Sequence, residues 1–158
     1  MQMRRMVHSL VLCAAAACIG AVADALAADN AAQSQAQIRA ALTRWLSDFN
    51  AGHVESICDL FADELRADVR GQPERNHAAL CELLKRSLRD PERAYSYALA
   101  IKEIVTWGDT AVVRLVWTLT IREKDKSGQE QSVEPGMDVF RRQADGSWKI
   151  VRYMAFNE

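Results

Sequence analysis

The sequence predicts an α+β fold in which helices come first along the chain and an antiparallel sheet follows. Up to residue 90, apolar residues recur at steps of three and four, the period of a helix with one buried face. From Tyr95 onward they recur at every second position, the period of a strand with one covered face. We therefore expect three N-terminal helices packed on one face of a curved antiparallel sheet, forming a cone with an internal cavity.

Residues 1–27 have the composition of a secretory signal peptide. Two arginines, Arg4 and Arg5, precede an apolar, alanine-rich run at residues 10–22, and residues 25–27 form a small-x-small cleavage site. Cleavage there predicts a periplasmic or secreted protein that leaves the membrane once the signal is removed. Residues 28–35 would then be a short leader, and residues 36–158 one domain. A lipoprotein is the alternative, because residues 15–18, which end in Cys18, loosely resemble a lipobox.

Three helices are predicted before the sheet. The first follows the apolar stripe from Ile38 to Phe49 and stops at Gly52. The second is short and covers residues 54–61. The third is capped by Asn76 and turns four leucines inward, ending before Pro91.

A hairpin at the C-terminus completes the predicted sheet, after a turn at residues 108–109, a strand at residues 113–121 and a charged loop at residues 123–132. Asp145 and Gly146 lie between two apolar runs, as in a two-residue β-hairpin turn. Such a turn pairs Phe140 with Val151 and Asp138 with Tyr153. Facing residues share one side of a sheet, so we expect an acid beside a phenol among apolar side chains.

This pairing makes Asp138 and Tyr153 the candidate catalytic residues. Burial raises the pKa of a carboxyl, and a neutral Asp138 can donate a hydrogen bond to a ligand oxygen, with Tyr153 as a second donor. The alternative is a structural pair without chemistry. The cavity is expected to be lined by Trp45, Trp117, Phe140 and Val151.

The two cysteines after the predicted signal, Cys58 and Cys81, leave two alternatives open. In an oxidising compartment they can form a disulfide, and otherwise they are small buried apolar residues. The formal net charge of −1 gives no indication of nucleic-acid binding, which favours a strongly basic protein. His53 and His77 have no paired spacing, so neither a metal site nor a cofactor is expected.

The chain resembles the nuclear transport factor 2-like superfamily, and within it the SnoaL-like and ketosteroid-isomerase-like branches. The resemblance is carried by residues 45–63, 108–114 and 136–156. It implies that Asp138 occupies the position of an aspartate that ketosteroid isomerases keep protonated, so that it can donate a hydrogen bond to a charged substrate oxygen. It also implies that Trp45 stands where the family has a tyrosine donor, and Val69, next to Asp68, where it has a general base.

Two functions follow as expectations. One is a module that binds an apolar small molecule in the cavity; the other is an isomerase- or cyclase-type enzyme that uses Asp138. A dimerisation domain without a ligand is a third possibility. The superfamily resemblance, with Val112 and Val116 among polar residues on the outer sheet face, predicts a homodimer through that face, and alternation places Trp148 there with Arg152.

Overall fold

A computed structural model describes the backbone of residues 8–156 and the side chains of residues 28–156. The chain divides into two compact units, one that ends at Ser34 and one that begins at Gln35. The predicted signal peptide lies outside the residues whose side chains are described, and it stays a prediction. Over the described residues, the structure contains no helix with the length and apolar character needed to cross a bilayer.

Helix α1 spans His8–Ala51 and helix α2 spans His77–Leu88. The residues expected as a short leader are therefore helical. The predicted stop of the first helix is confirmed, because Gly52 adopts a left-handed φ of 74° and its N–H donates to the Phe49 carbonyl at 3.0 Å. The cap of α2 is also confirmed, since the Asn76 side chain accepts from the N–H of Ala79 at 2.9 Å.

The expectation of three helices is wrong, because the described residues contain two. Residues 54–60 form consecutive turns instead. In these turns the backbone N–H of Asp59 donates to the Ser56 carbonyl and the backbone N–H of Phe61 donates to the Cys58 carbonyl, each at 3.0 Å. Phe61 itself begins a strand. Too few residues separate Gly52 from that strand to repay the cost of nucleating another helix.

Six strands form one curved sheet. They are β1 (Phe61–Val69), β2 (Arg75–Asn76), β3 (Arg93–Trp107), β4 (Thr110–Glu123), β5 (Glu130–Arg142) and β6 (Trp148–Ala155). Their order across the sheet is β2-β1-β6-β5-β4-β3. The sheet is mixed rather than purely antiparallel, because β1 and β6 run parallel. This pairing joins residues far apart in the chain, so strand periodicity alone did not predict it.

The hairpin between β5 and β6 has a three-residue loop rather than the predicted two-residue turn. The N–H of Gln143 donates to the Ser147 carbonyl at 2.7 Å, and Gly146 adopts a φ of 84° just before the chain re-enters the sheet. A left-handed glycine at the end of such a loop is a common solution. The extra loop residue shifts the pairing by one, so that Phe140 faces Ile150 instead of Val151.

A β-bulge then restores the predicted register. The pairing shifts between Phe140 and Val139, and Val151 is the additional residue on β6. Beyond it Val139 pairs with Arg152 and Asp138 with Tyr153. The predicted pair of Asp138 and Tyr153 is therefore confirmed, although the wider loop and the bulge produce it together.

The same bulge moves Trp148 off the outer face. Its side chain is only 4% exposed, and its Nε1 donates to Oε1 of Gln37 in α1 at 3.1 Å. The Arg142 guanidinium lies 4.8 Å from the centre of the indole ring. The expectation that Trp148 shares a face with Arg152 is wrong, because one extra residue between them reverses the alternation of side chains.

A disulfide joins Cys58 in the turn segment to Cys81 in α2, with Cα atoms 5.6 Å apart. The sequence left the disulfide and the two buried thiols open, and the structure has the bonded form. The bond ties the turns that follow α1 to the second helix.

Candidate functional site

A cavity of about 340 Å³ lies between the two helices and the inner face of the sheet. Its walls are mainly apolar and aromatic. Helix α2 contributes Leu80, Leu83 and Leu84, while the sheet and α1 contribute the rings of Trp45, Phe49, Phe61, Tyr95, Tyr97 and Trp117. Such a cavity is at the small end of the range seen for small-molecule sites.

Trp45 is the centre of the aromatic wall. Its ring lies 5.3 Å from Phe49, 5.7 Å from Tyr97 and 5.1 Å from Trp117, measured between ring centroids. Its Nε1 donates to the Ile57 carbonyl at 2.8 Å. The indole N–H, the one polar group of this side chain, is thus bonded to a backbone carbonyl. Trp45 therefore presents only apolar surface to the cavity.

Tyr97 is positioned from α1. The Asn50 side chain accepts from the Tyr97 N–H at 2.8 Å and donates to the Tyr97 carbonyl at 2.9 Å. This clamp fastens the end of α1 to strand β3. Burial, followed by the charge of Glu134, raises the pKa of the Tyr97 phenol, so the group stays neutral.

Glu134 is a functional candidate that our sequence reasoning missed. It lines the cavity and is 9% exposed. Burial raises the pKa of its carboxyl, and a hydrogen bond with Tyr153 partly opposes that rise. A sequence signal was available, because alternation along β5 from Asp138 through Gly136 puts Glu134 on the same inner face.

Tyr153 lines the cavity as well. Burial is the first cause that raises the pKa of its phenol well above the usual value, and repulsion from Asp138, once that carboxyl has ionised, is the second. The Tyr97 phenol and Glu134 add to the same effect. Tyr153 therefore remains protonated, and a ligand oxygen would compete with Glu134 for its single hydroxyl proton.

Asp138 lies beside Tyr153 inside the core, and it is not among the side chains that line the cavity. It is completely buried, and burial raises the pKa of its carboxyl well above the usual value. Across the sheet its other neighbour is Val113. Within residues 28–156, neither carboxylate oxygen has a hydrogen-bond partner, so the neutral acid is the form this environment favours.

The other predicted residues divide into two groups. Trp45 and Trp117 line the cavity, whereas Phe140 and Val151 are buried and do not line it. Val69, at the place of the family's general base, also lines the cavity, while the adjacent Asp68 is exposed. The geometry thus brings Tyr153 and Glu134 together at the cavity and leaves Asp138 next to them in the core.

Arg75 is a second polar group that the sequence did not single out. It lines the cavity together with Gln72, and its Nη2 donates to the Gln72 Oε1 at 2.5 Å. Gln72 is exposed and Arg75 partly exposed, so these residues mark a side of the cavity that solvent reaches. Among the side chains of residues 28–156, no three His, Cys, Asp or Glu residues come together in a group able to hold a metal ion.

Comparison with protein families matches residues 42–153 to the SnoaL-like domain. No curated protein matches the sequence.

Several solved structures share the fold. A conserved protein from Planctomyces limnophilus has a TM-score of 0.73 at 17% identity, with 80% of this chain and 97% of that chain covered. A ketosteroid isomerase-like protein from Erwinia carotovora atroseptica has a TM-score of 0.64 at 25% identity, with 77% and 94% covered. A nuclear transport factor 2-like protein with a cystatin-like fold from Novosphingobium aromaticivorans has a TM-score of 0.67 at 21% identity, with 86% and 87% covered.

Proposed function

The chain belongs to the SnoaL-like domain family, and on this premise we propose that its cavity binds an apolar small molecule that carries an oxygen acceptor. The observation that carries the proposal is the placement of Tyr153, a neutral phenol, on the wall of a cavity that is otherwise mostly aromatic and aliphatic. The apolar walls favour a molecule that leaves water, and the phenol favours one whose oxygen accepts a hydrogen bond.

The polar groups are placed to orient such a ligand. Tyr153 is a donor, and Glu134 beside it is either a donor when protonated or an acceptor when ionised. A ligand with an oxygen at that end gains a hydrogen bond that a purely apolar ligand cannot form, so the pair favours ligands with an oxygen there.

The binding test uses 2-acetylnaphthalene, an apolar ketone, and follows the quenching of tryptophan fluorescence, since Trp45 and Trp117 line the cavity. Tyr153→Phe removes the proposed donor and is expected to weaken the ketone about fivefold, for a net hydrogen bond of about 1 kcal/mol. Tyr95→Phe is the matched control, because the Tyr95 hydroxyl donates to Asp90 instead. Equal affinities of wild type and both variants would count against the assignment of Tyr153.

A proton-transfer enzyme of the isomerase or cyclase type is the second candidate. The observation that favours it is Glu134, a carboxyl with a raised pKa in the same cavity as a neutral phenol. Glu134 would move the proton and Tyr153 would stabilise charge on the substrate oxygen, with Asp138 as the neutral neighbour of the phenol. Deuterium exchange into 2-acetylnaphthalene next to its carbonyl, followed by NMR, tests this. Exchange that Glu134→Gln leaves unchanged would exclude that role.

We also propose that the protein is exported and works as a homodimer. N-terminal sequencing of the exported form is expected to give a start near residue 28, and a chain that keeps its first residues or begins with a lipidated Cys18 would refute this.

For the dimer, the outer face of the sheet exposes Met137 and Met154, which are cross-strand partners. Light scattering is expected to give twice the monomer mass, and Met137→Glu is expected to halve it.

A further inference from the structure

Arg75 is the single cation among the described side chains that line the cavity, and Glu134 is the single acid. The remaining wall is apolar or aromatic, apart from neutral side chains such as Gln72 and Ser87. A guanidinium is always charged, and on the side of the cavity that solvent reaches it stays accessible to an incoming anion. A ligand with an anionic group at that end would therefore pair with Arg75 while its apolar part enters the cavity.

No carboxylate of the described chain compensates Arg75. Within these residues it forms no ion pair, and its hydrogen bond goes to the neutral amide oxygen of Gln72. Arg66 on the neighbouring strand differs, because its Nε lies 3.4 Å from Oε1 of Glu74 and it does not line the cavity. Of these two arginines, the one that lines the cavity has no anionic partner among the described residues.

The sheet register shows how Arg75 relates to the other polar groups. Arg75 pairs with Ala67 on β1, and Ala67 pairs with Tyr153 on β6. Residues directly opposite each other share one face of a sheet, so these side chains stand in one row. Two strand spacings of about 4.8 Å separate Arg75 from Tyr153, and only the methyl group of Ala67 lies between them.

We infer that Arg75 anchors an anionic head group, so that the ligand class is an apolar carboxylic acid bound as its carboxylate. The inference rests on the proposed function, that the cavity binds an apolar molecule. A planar guanidinium matches a carboxylate with two parallel hydrogen bonds. The apolar body lies over Ala67 against the aromatic wall, and any oxygen at its far end meets Tyr153.

Two further features fit this class. Arg75 directly precedes the cap of α2, and that helix has no acidic residue in its first turn, so the positive end of its dipole adds to the attraction for an anion. A cavity of about 340 Å³ equals the volume of roughly eleven waters at about 30 Å³ each, which suits a bicyclic or medium-chain acid.

The test compares 2-naphthoate with 2-acetylnaphthalene, two probes of matched size and shape of which only the first carries a charge. Wild type is expected to bind the carboxylate about tenfold more tightly than the ketone. Arg75→Met is expected to remove that preference by weakening the carboxylate about tenfold and to change the ketone less than about twofold. Arg75→Lys is expected to keep part of the preference because it retains the charge, and Arg66→Met is the control that is expected to change neither probe.

The outcomes separate the two proposals. If wild type binds both probes equally, or if Arg75→Met keeps the preference for the carboxylate, the anion anchor is wrong while the binding of apolar molecules stands. If wild type binds neither probe, the proposed function falls and the anchor falls with it. The preference of the wild-type protein and the Arg75→Lys variant decide between these outcomes even if Arg75→Met fails to fold.

Discussion

Replacing Asp138 by asparagine should change how the stability of this protein depends on pH. Asp138 is completely buried, and burial raises the pKa of its carboxyl well above the ordinary 3.8. The folded state therefore holds the proton more tightly than the unfolded state does. The tighter proton binding by folded Asp138 stabilises the protein. That stabilisation is fully present below pH 3.8 and is lost as the pH rises through the higher pKa of the folded state.

One proton sets the size of the effect. Between the unfolded and the folded pKa, each pH unit costs the wild-type protein about 1.4 kcal/mol of unfolding free energy. Asp138→Asn keeps the shape of the side chain but does not titrate. The variant should therefore gain about 1.4 kcal/mol relative to wild type for each pH unit in that window, while groups common to both proteins largely cancel.

Urea unfolding followed by tryptophan fluorescence at pH ~4, ~5 and ~6 measures this difference. Asp145→Asn is a control of opposite sign, because hydrogen bonds from Ser147 lower the pKa of the exposed Asp145 carboxyl. Its contribution is present at neutral pH and is lost as the pH falls. A difference between Asp138→Asn and wild type that stays constant over the series would refute the reasoning, as would NMR titration of Asp138 near pKa ~3.9.

Three further predictions concern stability. The disulfide between Cys58 and Cys81 closes a loop with a sequence separation of 23 residues, so the double serine variant should lose roughly 3 kcal/mol of unfolding free energy in urea melts. Gly136→Ala should destabilise the fold by about 1–3 kcal/mol in the same assay, because the new Cβ would lie 2.6 Å from the Met154 carbonyl oxygen, and an unfolding free energy equal to that of wild type would contradict this. Trp45→Phe should lower the melting temperature by several degrees, since the buried Ile57 carbonyl loses its donor, whereas an unchanged temperature would show that this bond contributes little.

The prediction from sequence was most successful where the signal is local. The stop at Gly52 and the cap at Asn76 follow from backbone preferences of single residues, and both are found where they were expected. The alternation of side chains from Tyr95 onward predicted the long strands. The pairing of Asp138 with Tyr153 was correct, but a bulge at Val151 compensated for a loop that was one residue longer than predicted.

The candidate site, by contrast, is formed by residues that lie far apart in the sequence. By itself the sequence determined the end of α1, the cap of α2, the long strands and the neighbourhood of Asp138, because these follow from periodicity and turn chemistry over a few residues. Only the tertiary structure decided that Tyr153 and Glu134 face the cavity while Asp138 stays in the core, and that Arg75 shares a row with Tyr153. The parallel pairing of β1 with β6 creates that row, and no local pattern encodes it, since such a pairing depends on how the whole core packs.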